Sequence, residues 1–151
     1  MATYTVETNG DVALVAATAK TIMNAINASA GLIKLAELSV SFDGVAANAE
    51  PVTIELCKST QATAGTSTSH TMAQCSGPTR TVQATAARAY TAEPTVLTVI
   101  KRWLVHPQAG MLLQFPLGRE PMQVTGSQGL SVRCTAPAGV NAQGYMEIEE
   151  G

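Results

Sequence analysis

Strict two-residue alternation in four separate stretches constrains this chain more than any other feature. Leu38, Val40 and Phe42 alternate with Glu37, Ser39 and Ser41, and Val52, Ile54 and Leu56 with Thr53, Glu55 and Cys57. Leu130, Val132 and Cys134 alternate with Ser131, Arg133 and Thr135. Val140, Ala142, Gly144, Met146 and Ile148 alternate with Asn141, Gln143, Tyr145, Glu147 and Glu149. Successive side chains of a strand point to opposite faces, so this pattern describes strands with one buried side. Turn formers separate the runs: Asp43-Gly44, His106 to Gly110, and Ala136-Pro137-Ala138-Gly139, which joins the last two runs as a tight connection. Eight or so short strands predict an all-β fold, a single-domain β-sandwich or jelly-roll-like barrel. The 151 residues fit one domain spanning 1–151.

Three segments lie outside that pattern. Residues 1–10 read as an extended arm, and residues 59–77, dense in Thr, Ser, Ala and Gly, as a long exposed loop. Residues 11–38 are ambiguous. Asp11 is a fit N-cap and Ile22 and Ile26 are four apart, as on a helix. Yet Val12, Leu14 and Ala16 alternate, and Thr18 and Thr21 are poor helix formers. The 24 alanines and 19 threonines of the whole chain pull in opposite directions. The expectation is strands, a preference that also draws on the resemblance described below.

The run from Leu97 to Val105 is apolar on both faces, with Leu97, Val99, Trp103 and Val105 on one and Val96, Ile100 and Leu104 on the other. A strand of that kind needs cover on both sides. A neighbouring subunit or a covering loop would supply it. Trp103, Leu104, Leu113 and Phe115 are the candidate oligomer-interface residues. Charge points the same way: only 13% of residues are charged, about half the usual ~25%, so part of the surface is expected to be covered by other subunits.

Other partners are disfavoured. The net charge is −2 and Lys101-Arg102 is the one basic pair, so no nucleic-acid footprint is expected. No apolar run approaches the ~20 residues of a membrane span. The first residues lack a signal-peptide pattern, which predicts a protein kept in the cytosol where it is made. Cys57, Cys75 and Cys134 are an odd set without metal spacing and are expected to be free thiols. His70 and Cys75 lack further ligands, and nothing brings His106 to Cys134 as a catalytic pair. No phosphate loop, nucleophile elbow or two-histidine metal helix occurs. Eleven acids leave a glycosidase pair arithmetically open. Aromatic residues, however, are only 4%, with Trp103 the single tryptophan, which disfavours a sugar cleft. The expectation is a protein that is not an enzyme, with no catalytic, metal-binding or cofactor-binding residues, no cofactor and no small-molecule substrate.

A set of ordered strings carries a resemblance. They are Ala17-Thr18-Ala19-Lys20-Thr21, Ser39-Val40-Ser41-Phe42-Asp43-Gly44, Pro51-Val52-Thr53-Ile54-Glu55-Leu56, Thr91-Ala92-Glu93-Pro94 and Val105-His106-Pro107-Gln108-Ala109-Gly110. Phe115-Pro116-Leu117-Gly118-Arg119-Glu120, Val132-Arg133-Cys134-Thr135-Ala136-Pro137-Ala138 and the Glu-rich end complete the set. From about residue 12 to 150 the chain resembles the small capsid decoration, or cement, proteins of tailed phages. The resemblance implies a jelly-roll-like fold, a homotrimer, the major capsid protein as partner, and a place on the capsid exterior of the virion. It carries over no catalytic residues. Glu147, Glu149 and Glu150 then read as a solvated edge or as a contact to a basic capsid groove. Alternatives from the same composition are a tail- or fibre-associated β protein and a carbohydrate-binding module.

Overall fold

A computed structural model describes residues 1–60 and 64–151; the side chains of Val96 and Leu97 and residues 61–63 of the expected loop lie outside the described residues. Thirteen strands build the described chain: β1 (Ala2–Glu7), β2 (Val12–Leu14), β3 (Ala19–Ile26), β4 (Ile33–Phe42), β5 (Val52–Thr60), β6 (Thr66–His70) and β7 (Ala73–Ser76). They are followed by β8 (Thr85–Ala92), β9 (Thr95–Val105), β10 (Gly110–Gln114), β11 (Met122–Gln123), β12 (Gln128–Thr135) and β13 (Val140–Glu150). The described residues form no helix, and the strands pack as two antiparallel sheets in one β-sandwich. Sheet A runs β10-β4-β13-β1-β7, with β11 also on β4 and β2 also on β13; sheet B runs β6-β8-β3-β12-β5-β9.

The alternating residues meet between the sheets. Leu38, Val40, Met146 and Ile148 of sheet A close over Ile54, Leu56, Leu130 and Val132 of sheet B, all fully buried. Burial of this apolar area is the main stabilising term. Gly144 faces inward beside Met23: a Cβ there would run into the Ser39 carbonyl of β4 and stand 3.1 Å from the Met23 methyl, so the close approach of the neighbouring β4 backbone within sheet A requires glycine. The ambiguous residues 11–38 form β2, β3 and the first part of β4, joined by turns, and the reason is the partner each strand finds. β3 pairs with both β12 and β8, and β4 with β13 and β10.

Four expectations are corrected. Residues 1–10 are no arm: Ala2, Tyr4 and Val6 are buried and β1 lies between β13 and β7. Residues 59–77 are not one loop, because β6 pairs with β8 and β7 with β1; backbone pairing makes strands of Thr- and Ser-rich segments that bury almost nothing. The Glu-rich end is not simply a solvated edge. β13 is interior to sheet A, and Glu150 is buried, accepting from Gln83 N–H (2.8 and 3.1 Å) and Ala84 N–H (2.5 Å). Finally, β9 is not covered along both faces, since Arg102 and Leu104 stand exposed. Its register slips against β5 at Leu56/Cys57 and at Lys58/Ser59, so an extra β9 residue bulges at each point and breaks the two-residue period.

Those bulges have a topological purpose. β8 and β9 are joined by only Glu93-Pro94, yet β3, β12 and β5 lie between them in sheet B. Four strand spacings in a flat sheet are about 19 Å. Three Cα–Cα steps reach at most about 11 Å. Sheet B must therefore curl until β8 and β9 approach across its outer face. The bulges bend β9, and Ala89, at φ 49°, redirects β8 so that Tyr90 turns onto that face.

Candidate functional surfaces

The curl of sheet B encloses a second, polar core. Asn24, Cys57, Ser59, Tyr90, Ser131 and Thr21 are all buried there. Asn24 Nδ2 donates to Tyr90 Oη (3.0 Å) and Ser59 Oγ to Asn24 Oδ1 (3.4 Å). Thr21 donates its N–H to Glu93 (2.7 Å) and its hydroxyl to the same carboxylate, latching the β8–β9 connection to β3. At the rim, Arg102 and Arg133 each approach Glu55 Oε2 at 3.1 Å. Burial works to raise the Glu55 pKa, but the hydrogen bonds from Arg133 and Arg102 outweigh it and hold the carboxyl below its usual range. Most of these groups pair with one another in the manner of a structural network, while Ser131 Oγ and Arg133 Nε are buried without a partner among the described residues.

The expected interface residues lie on one side of the sandwich. β9 ends sheet B and β10 ends the path of sheet A, and the short turn from His106 to Ala109 carries the chain between them. Trp103 stands opposite Ile54, Met111 opposite Val40 and Leu113 opposite Leu38, so these side chains face inward. They are only half-buried, as is Phe115, because among the described residues neither edge has a further strand beside it. Trp103, Leu113 and Phe115 thus share a partly open apolar seam. Leu104 does not belong to it: it faces outward beside Thr53, 68% exposed. On the other sheet Leu112 also points out. Lys101 Nζ lies 6.0 Å from the Phe115 ring centre, screening part of the seam. Lys101, Arg102 and the β9 bulges discourage indiscriminate strand addition to this edge.

A groove of about 430 Å³, which the sequence reading missed, opens at the end of the sandwich where β4 stops. Its walls come from the β4–β5, β9–β10 and β12–β13 loops, including Val45, Pro107 and Pro137, and from Val52 and Val140, the first residues of β5 and β13. The charged residues lining it are Asp43 and Glu50. Hydrogen bonds fix the loops: Gly44 N–H to Pro107 O (2.8 Å), Gln108 Nε2 to Val45 O (2.9 Å), and Asn141 N and Nδ2 to Asp43 (2.8 Å each). The Asn141 side chain, with its backbone N–H, holds the Asp43 carboxyl below the usual range. The turn residues that build this groove were legible, but their convergence from three separated loops was not.

The candidate reactive groups are dispersed. Cys57 and Cys134 are buried and Cys75 is exposed, none of them bonded to another. Burial pushes the Cys57 thiol up to about 11 and raises Cys134 as well. Cys134 sits in the main core opposite Ile54 and Lys20, whereas His106 lies in the β9–β10 turn, accepting from Gln108 N–H (3.1 Å). His70 Nε2 accepts from Glu7 N–H (3.4 Å), and Cys75 contacts Thr5. Among the described residues no three His, Cys, Asp or Glu side chains form a metal-binding group. No family model matches this chain, and no curated protein or solved structure is significantly similar to it.

Proposed function

We propose that this protein is a non-catalytic structural component of a tailed-phage virion that decorates the capsid exterior and stabilises it by bridging copies of the major capsid protein, acting as a homotrimer. The ordered likeness of segments between about residues 12 and 150 to capsid decoration proteins supports the identity of the partner. The observation that carries the association itself is the half-open seam of Trp103, Leu113 and Phe115 between two terminal strands, flanked by outward Leu104 and Leu112. Aromatic anchors of this kind supply much of the binding energy where subunits meet. A rigid trimer gains affinity only where several sites are presented together, so it binds the assembled shell and not the isolated capsid subunit. Binding the shell alone stabilises it by mass action.

The test compares particles made with and without this chain under heat and osmotic shock, with imaging of the capsid exterior. Greater resistance with the chain present, and density for it on the outer surface, is the expected result. Equal resistance with no exterior density removes the decoration reading and favours the tail or fibre.

A further inference from the structure

The Pro116–Arg119 turn has no part in the fold's core. Arg119 N–H donates to Pro116 O at 2.9 Å, and Gly118 between them adopts φ 80°, the third-position geometry of a type II turn. This stiff turn projects Leu117, 92% exposed and the most exposed large apolar residue among the described residues, with exposed Arg119 two positions on. An apolar tip joined to a cation on a preorganised turn loses little entropy on docking. The end groove is its chemical complement: apolar walls of Val, Ala and Pro, the carboxylates Asp43 and Glu50, and no lysine or arginine in the lining.

We propose that this groove receives the Pro116–Arg119 turn of a second copy of this chain, with Leu117 against the apolar walls and Arg119 toward Glu50. A chain cannot fill its own groove. Phe115 N–H bonds Ala36 O and Leu35 N–H bonds Pro121 O, so the turn is rooted beside Leu35 and Ala36 of β4. The groove begins at Asp43, seven residues further along, or about 23 Å in an extended strand. Turn and groove are different patches, so the contact is head-to-tail, and such contacts close into rings when the rotation permits. The inference deepens the proposed homotrimer and rests on that self-association, but not on the identity of the capsid partner.

The experiment is sedimentation of the isolated full chain over a range of concentrations, with no capsid present. Failure there is therefore separate from failure of capsid decoration. Wild type is compared with Leu117→Asp, Arg119→Glu, and the paired swap Arg119→Glu with Glu50→Arg. All three positions are exposed, and circular dichroism and melting check that each variant is folded. Leu117→Asp is expected to weaken association about thirtyfold or more, as loss of an apolar anchor does. Arg119→Glu is expected to weaken it about tenfold, and the paired swap to recover most of that loss. A wild-type chain that stays monomeric at about 1 mM, or an oligomer indifferent to Leu117→Asp, overturns the proposal. A swap no better than Arg119→Glu alone overturns the groove as the receptor.

Discussion

Replacing Glu150 by alanine tests whether the last strand is a structural clamp. The carboxylate accepts from Gln83 N–H and Ala84 N–H, and Arg80 Nη2 stands 3.9 Å away. Glu150 is 2% exposed and Ala84 4% exposed, so water cannot readily replace the bond to Ala84; Gln83 is exposed and can be partly rehydrated. A hydrogen bond to a charged group contributes about 1.5–3 kcal/mol, and an orphaned buried donor costs a similar amount. Counting the Ala84 bond in full and the Gln83 bond in part gives a loss of about 3 kcal/mol. The half-exposed Arg80 adds well under 1 kcal/mol. For a domain of this size, 1 kcal/mol moves Tm by roughly 2–4 °C, so Glu150→Ala should lower it by about 6–12 °C. Urea unfolding measures the free energy directly, with an unchanged m-value showing that only stability moved. Glu149→Ala, one residue away on the opposite face of β13, is the control and should lie within about 0.5 kcal/mol of wild type. If Glu150→Ala and Glu149→Ala cost the same, the clamp argument is wrong.

Gly129 packs under the polar core, where an added Cβ would run into Asn24 Oδ1 and reach 2.8 Å from Ser59 Oγ. Gly129→Ala should destabilise by about 2–3 kcal/mol in urea, and an effect below ~0.5 kcal/mol would show that the curled face is loosely packed. His70 has a lowered pKa, through burial first, with the Arg88 charge acting the same way and Glu7 against it. The neutral ring is thus favoured in the folded state, and it accepts from Glu7 N–H. Its contribution is present above the unfolded histidine pKa near 6.5 and falls away as pH drops through the folded value. His70→Gln should flatten that loss between about pH 7 and 5, and an unaltered pH profile would assign it elsewhere. In the native protein a thiol reagent should label Cys75 alone, with Cys57 and Cys134 reacting only after denaturation; native labelling of all three would contradict the burial of both.

The local pattern wrote the strands that bury one face. Val52, Ile54 and Leu56, and Leu130, Val132 and Cys134, occupy the core as their alternation requires. The turns at Asp43-Gly44 and after Ala136 fall where their residues put them. The candidate interface residues were legible as apolar, and Trp103 and Leu104 as lying on opposite faces, yet the sequence could not tell which of those faces is the inward one. That assignment depends on the pairing of β9 with β5 and β10 with β4.

Alternation is a property of one strand and its nearest neighbours, so the sequence by itself determined the all-β class, several strand bodies and the turns between them. Everything set by pairing between distant segments was decided only by the tertiary structure. β1 is a sheet-interior strand because β13 and β7 flank it, though they lie at the far end and the middle of the chain. β6 and β7 are strands through backbone hydrogen bonds, which leave no apolar signature. Glu150 reads as a surface residue until β13 carries it beneath the loop at Gln83 and Ala84. The polar core exists because two residues must join strands that a flat sheet would hold too far apart. Curling the sheet is the physical solution, and it buries Asn24, Ser59, Tyr90 and Ser131 on a face that polarity alone assigns to solvent.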